Sequence, residues 1–183
     1  MAPRSPNQPH DMPEAGSGQN RRTATATIGL TPLLPTNDLS KTVALQRSIR
    51  PAVAGDVAAV AAIQDAAPEA AHWNPADYLN HDFLVAIVGN SVAGFVVFRD
   101  IVPGERELLN IAVAPDFRRQ GIARALWNAS SLNFRGNIFL EVRESNFAAI
   151  ALYKSLNFEV VSRREKYYQS PSEAAIVMKF HSC

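Results

Sequence analysis

The chain has 183 residues, 47% of them hydrophobic, and a formal net charge of +1 at pH 7. That is enough apolar content for one domain with a buried core, and the near-neutral balance without a basic block gives no reason to expect nucleic-acid binding. A single cysteine, Cys183, excludes a disulfide scaffold and a cysteine metal cluster and fits a reducing, cytoplasmic setting.

Residues 1–45 differ in kind from the rest. MAPRSPNQPHDMPEAGSGQN is rich in Pro, Gly, Ser and Asn and nearly free of large apolar side chains, so a disordered N-terminal extension is expected there, with the ordered domain over 46–183. Arg21 and Arg22 before TATATIGLTPLLP invite a twin-arginine or Sec signal reading. Thr, Gly and Pro interrupt the apolar stretch and a long polar segment precedes it, which argues against that reading. No apolar run approaches the ~18 residues needed to cross a bilayer, and no membrane association is expected.

Along the ordered part, SIRP (Ser48 to Pro51) predicts a short strand. Asp56 is placed to cap a helix that carries Val57, Val60, Ala61 and Ile63 at helical spacing. PEAAHWNPADYLN predicts a loop and a short helix near Pro75 to Leu79, with Asn74 as cap and Pro75 at the first position. DFLVAIVGNSVAGFVVFRD is a hairpin turning at Asn90, and ERELLNIAV is the next strand. A helix from Arg119 to about Asn133 follows, then a strand NIFLEV, a helix from Phe147 to Leu156, a left-handed Asn157 and two strands joined by QSPS. The order β-α-α-β-β-β-α-β-α-β-β predicts a mixed sheet with helices on both faces, the strands before and after the second main helix being parallel.

The junction VAPDFRRQGIARALW carries the chemistry. A glycine between strand and helix admits close approach of a ligand to the backbone, and the first helical turn offers unpaired N–H groups at the positive end of the dipole. With Arg118 and Arg119 beside it, the turn reads as a pyrophosphate cradle, to which the amides of Gln120, Gly121, Ile122 and Ala123 contribute more than either guanidinium.

On these residues the chain resembles the GNAT acetyltransferases. Arg118-Arg119-Gln120-Gly121-Ile122-Ala123 fits the family's acyl-CoA turn, Q/R-x-x-G-x-G/A, and FLEVRESNFAAIALYKSLNF with the later RREKYY resembles the RimI-type branch, the ribosomal-protein alanine N-acetyltransferases. The resemblance runs from about Ile49 to Phe180. It departs in the stretch from Arg124 to Glu141, about one helical turn shorter than the family's, and in Asn157 where the family has Gly. It implies a GNAT fold: an α/β (α+β) domain whose mixed sheet of about seven strands holds acyl-CoA between a splayed parallel pair. It also implies acetyl-CoA as co-substrate, no metal, and a protein N-terminus as acceptor, foremost the N-terminal alanine of a small-subunit ribosomal protein. The enzyme would work as a monomer or weak dimer.

Acetyl transfer needs a neutral amine, a polarised thioester and a proton for the leaving thiolate. An α-amine has a pKa of about 8 against about 10.4 for lysine, roughly 3.4 kcal/mol less deprotonation cost, so modest base assistance suffices. Glu141 lies in an apolar strand; such a carboxylate faces solvent, pairs with Arg143, or is functional. The resemblance implies that it is the base, and that Tyr153, otherwise a core tyrosine, is the acid beside the CoA sulfur. It also implies that Ile111, Ala112 and Val113 meet the pantetheine arm through their backbone. Asn146 either helps to hold that arm or caps the following helix, and the two roles can coexist. Trp73, Tyr167 and Tyr168 are candidate walls of an acceptor groove, against the simpler reading of aromatics as core; His72 is a lesser candidate. Two rival readings stand: acetylation of a small free amine (amino acid, polyamine or drug), and an acyl-CoA sensor without turnover.

Overall fold

A computed structural model describes residues 47–68 and 73–182. The expectations for residues 1–45, His72 and Cys183 lie outside them. Seven strands alternate with three α-helices: β1 (Arg47–Pro51), α1 (Val57–Asp65), β2 (Asp82–Val88), β3 (Ser91–Val102), β4 (Glu105–Val113), α2 (Ile122–Ser131), β5 (Gly136–Arg143), α3 (Phe147–Ser155), β6 (Glu159–Gln169) and β7 (Ser172–Ser182). A 3-10 turn, Asp77–Asn80, precedes β2. The strands form one sheet in the order β1-β2-β3-β4-β5-β7-β6. Every pairing is antiparallel except β4 with β5.

Strand side chains alternate between two apolar layers. Ala86, Val96, Phe98, Leu108, Ile138, Leu140 and Met178 meet Leu126 and Trp127 of α2 and Tyr153 of α3 on one face. Phe83, Val85, Phe95, Val97 and Ala112 meet Val60 and Ile63 of α1 and Tyr78 on the other. The mixed sheet with helices on both faces is therefore present, as the element order implied.

Two local expectations are corrected. The second main helix begins at Ile122, not Arg119, because Arg119 and Gly121 both have positive φ, 61° and 78°, which no right-handed helix accommodates. Asp56 stands just ahead of α1 but its side chain does not cap it. The carboxylate instead accepts two bonds from Arg50, at 2.7 and 2.8 Å, and one from the Val53 N–H at 2.9 Å. A further expectation changes as well: the turn at Asp77–Asn80 starts after Ala76 and has no side-chain cap, and the Asn74 side chain accepts the Ala76 N–H at 3.2 Å just ahead of it. Asn157 is left-handed, with φ 66°.

One irregularity shapes the molecule for function. Val97 pairs with Asn110 and Phe98 with Leu108, so Leu109 is an extra residue, a β-bulge in β4. The parallel ladder runs from Glu105↔Asn137 to Glu107↔Phe139 and stops where the bulge begins. Beyond it β4 and β5 part, each kept in the sheet by its other neighbour.

Candidate active site

The gap between the diverging strands is lined by backbone. Ala114 donates to the Ala93 carbonyl at 2.9 Å. By the alternation of an antiparallel ladder Ala112 also faces β3, the N–H and C=O of Ile111 and the N–H of Val113 face the gap, and the Val113 carbonyl is taken by Arg118. A polar edge without a strand partner suits a ligand that carries its own amides. Gly94, across from Val113, lets this region close up: a Cβ there would stand 2.8 Å from the Ala112 carbonyl and 3.3 Å from Ile122 of α2.

At the end of the gap stands the β4–α2 turn. Gly121 is the left-handed residue before α2, and a Cβ built on it would point into open space. The turn needs glycine for its φ, and the room beside it lies at the helix N-terminus, where first-turn N–H groups have no partner within the helix. The residues present therefore fit a pyrophosphate held by the amides of Gln120 to Ala123. The two arginines of the turn stand differently from each other. Arg118 donates to the Val113 carbonyl at 3.0 Å and to the Ala66 carbonyl at 2.9 Å, bracing the turn against the end of α1. Arg119 supplies a strained φ. Gln120 is itself anchored, accepting from Arg47 at 2.9 Å through its carbonyl and donating to the Asp116 carbonyl at 3.0 Å. Asn146 caps α3, accepting the Ala149 N–H at 3.1 Å.

Glu141 lies on β5 just past the split, on the face opposite α2 and α3, with 18% of its side chain exposed. Its ion-pair partner is Arg164 of β6, not Arg143. The Tyr167 hydroxyl also hydrogen-bonds Glu141, and this contact, with burial second, pushes that phenol up to about 12. Tyr168 packs edge-on against Tyr167 at 5.1 Å. Its phenol is raised by burial first and by the Glu141 charge second. Tyr153, buried on α3 with its ring 5.6 Å from Phe158, has its phenol raised by burial first and by Tyr168 second. Glu141, Tyr167 and Tyr168 are thus joined by direct contacts past the strand split, whereas Tyr153 packs on the α2 and α3 face of the sheet. A hollow of about 240 Å³ opens at Glu141, lined also by Ile101, Glu107, Phe139 and Val177. A larger one, about 530 Å³, lies at the β3–β4 turn and holds none of these groups.

Arg143 serves the hairpin instead. It pairs with Glu173 at 3.1 Å, donates to the carbonyls of Ser170 and Pro171 at 3.2 and 3.4 Å, and lies 4.1 Å from the Tyr168 ring centre. Trp73 is 47% exposed. Among the described residues no ring contact joins it to the tyrosine pair; its carbonyl accepts from Gln64 at 2.8 Å. Gln64 in turn accepts from the Tyr78 hydroxyl at 2.9 Å, and Asn110, in the β4 bulge, donates to that hydroxyl at 3.0 Å. The sequence reading missed Arg164 and this buried triad. The run RREKYY pointed to the first; nothing local pointed to the second. Among the described residues no group of His, Cys, Asp and Glu could hold a metal.

Comparison with known proteins agrees with this geometry. The model of the Acetyltransferase (GNAT) family matches residues 57–158. An N-alpha-acetyltransferase of Saccharolobus solfataricus is 37% identical over 113 residues, 53% of this chain and 68% of that one. The ribosomal protein bS18-alanine N-acetyltransferase of Escherichia coli K12 is 45% identical over 93 residues, 48% of this chain and 62% of that one. The crystal structure of the ribosomal-protein-S18-alanine N-acetyltransferase from Escherichia coli superposes with a TM-score of 0.63 at 30% identity, covering 74% of this chain and 94% of that one. A split β4–β5 pair, a glycine-led helix N-terminus beside it and a family match across both lead to one conclusion: the chain belongs to the GNAT family of acetyl-CoA-dependent N-acetyltransferases.

Proposed function

We propose that the chain acetylates the N-terminal α-amine of a protein, with the N-terminal alanine of a small-subunit ribosomal protein as its preferred acceptor. The observation that carries this reading is the shielded carboxylate of Glu141, set past the strand split against Tyr167 and beside an open hollow. An extended peptide end entering there presents its ammonium to a carboxylate and its first residues to aromatic walls. The names of the relatives from Saccharolobus solfataricus and Escherichia coli support the choice of acceptor.

Acetyl-CoA supplies the acetyl thioester. The amides of Gln120 to Ala123 hold its pyrophosphate, the gap-facing groups of Ile111 and Val113 pair with its pantetheine arm, and Asn146 fixes the start of α3 beside that arm. Glu141 accepts the ammonium proton, directly or through a water. The amine nitrogen then bonds to the thioester carbonyl carbon, the carbon–sulfur bond breaks, and Tyr153, kept as a neutral phenol by its raised pKa, gives its proton to the departing sulfur. The nitrogen, now an amide, sheds its second proton to water, and water in turn restores the Tyr153 phenol. Trp73, Tyr167 and Tyr168 wall the acceptor groove.

The test is CoA release with acetyl-CoA and short peptides beginning with Ala, Ser, Met or Gly, beside free amino acids, polyamines and Nα-blocked lysine peptides. Turnover confined to free N-termini and best with Ala is expected. Glu141→Gln should lower it by about 10²- to 10⁴-fold while acetyl-CoA binding persists. Turnover on small amines or blocked lysine peptides would overturn the acceptor, and binding without turnover would favour the sensor.

A further inference from the structure

The two tyrosines of the acceptor groove are each gripped by an arginine, and the two grips are built differently. Arg143 makes a pair with Glu173 and two carbonyl bonds, lies against Tyr168 and is 18% exposed, its glutamate 17%. Glu173 is fixed in turn by the Ser145 N–H at 2.5 Å. That is a closed staple between β5 and the β6–β7 turn. Among the described residues the Arg164 side chain has one polar partner, the Glu141 carboxylate, and rests 4.9 Å from the Tyr167 ring centre; 57% of its side chain is exposed. The strand beneath it is irregular: the β6–β7 register shifts between Arg164 and Tyr168, and Lys166 has φ 49°.

A carboxylate as shielded as Glu141 is costly to leave unpaired. The cation that pairs with it here comes from a long, exposed side chain, and the acceptor amine arrives as a cation of the same sign and hydrogen-bonding character. Exchanging one for the other keeps the carboxylate neutralised throughout, so admission of the substrate carries little desolvation cost. A partly exposed pair of this kind is worth little enough to be exchanged readily.

We propose that Arg164 is a specificity-determining placeholder: its guanidinium holds Glu141 in the free enzyme and gives way to the α-ammonium of the acceptor, swinging into solvent over Tyr167. This rests on the reading of Glu141 as the group that receives the amine. The placeholder competes with the substrate, so it screens acceptors, admitting a cation that can take both the carboxylate and the space and disfavouring neutral or anionic ends.

The experiment compares wild type, Arg164→Met, Glu141→Gln and the double variant, measuring KM for an alanine-led peptide and for acetyl-CoA separately. Arg164→Met should lower the peptide KM about two- to fivefold, the scale of a partly exposed ion pair, and leave the acetyl-CoA KM unchanged. Guanidinium chloride at tens of millimolar should raise the peptide KM of Arg164→Met back toward that of wild type, a response that a purely structural role would not give. In equilibrium binding of the peptide with CoA present, the effect of Arg164→Met should vanish in the Glu141→Gln background. A peptide KM that is unchanged or raised in Arg164→Met, or insensitive to guanidinium, overturns the placeholder. Full turnover by Glu141→Gln overturns instead the reading of Glu141 on which it rests, so the two failures are distinguishable.

Discussion

The two faces of the sheet are built on different principles. Under α2 and α3 the layer is apolar and aromatic, centred on Trp127, whose ring lies 4.9 Å from Phe158, 5.0 Å from Phe180 and 6.1 Å from Phe98. Under α1 three aromatics also meet, with Tyr78 5.6 Å from Phe83 and 5.9 Å from Phe95, but the layer ends in the hydrogen-bonded triad of Gln64, Tyr78 and Asn110. Apolar packing has magnitude without direction; a satisfied buried network fixes orientation. The first face backs α2, whose N-terminus would hold the pyrophosphate of acetyl-CoA in the function proposed above, a ligand that is always the same. The second ties α1, the Trp73 segment and the β4 bulge together, on the side where the proposed function would have acceptors told apart.

The contrast breaks most visibly at Trp127. Trp127→Ala leaves a large void beneath α2 and should destabilise the protein by about 3–5 kcal/mol, measured by denaturant unfolding. Its kinetic signature should be small at permissive temperature, because no directional contact to the acceptor side is lost. A rise in peptide KM at unchanged acetyl-CoA KM would contradict the assignment of the two faces. Gln64→Met is the complementary change. It removes the acceptor for the Tyr78 hydroxyl and the donor to the Trp73 carbonyl, at a cost of about 1–3 kcal/mol. Here the peptide KM should rise severalfold while the acetyl-CoA KM holds. Equal loss in both would mean that the triad supports the fold alone.

Much of this architecture is legible in the sequence because its signals are local. Val-, Ile- and Phe-rich runs mark β2 and β3, Pro115 and Gly121 bracket the turn, and Asn157 takes the left-handed conformation expected of it. What escapes is set by contacts distant along the chain. Asn110 looks like any polar residue inside a strand until a bulge turns it toward Tyr78, 32 positions away, and Gln64, 46 away. Glu141 has a charged neighbour in register, Arg143, yet pairs with Arg164, 23 positions on, because Glu173 and the carbonyls of the β6–β7 turn take the nearer guanidinium. The backbone partners of Arg118 are hidden from the sequence for a similar reason. A charge beside a phosphate-binding turn suggests phosphate, whereas the open carbonyls of Val113 and Ala66 claim Arg118.

The smallest effect is expected where the α1 face meets β1. Asp56 ends the 3-10 turn before α1, and Arg50 grips it through two bonds while the Val53 N–H adds a third. The guanidinium first, and the backbone N–H after it, hold the Asp56 carboxyl below its ordinary value against the opposing effect of burial. A carboxylate depressed in the folded state binds fewer protons there than in the unfolded chain. Its contribution is therefore fully present above the unfolded pKa of about 3.9 and is lost as pH falls through the lower folded value. Asp56→Asn should lower Tm by on the order of 3 °C at pH 7, since Arg50 is well exposed and the pair is screened. Wild type and variant should converge as the pH is taken below that window. A gap in Tm that persists unchanged to acid would show that Asp56 acts through the shape of the turn, which asparagine disturbs at every pH, and not through its charge.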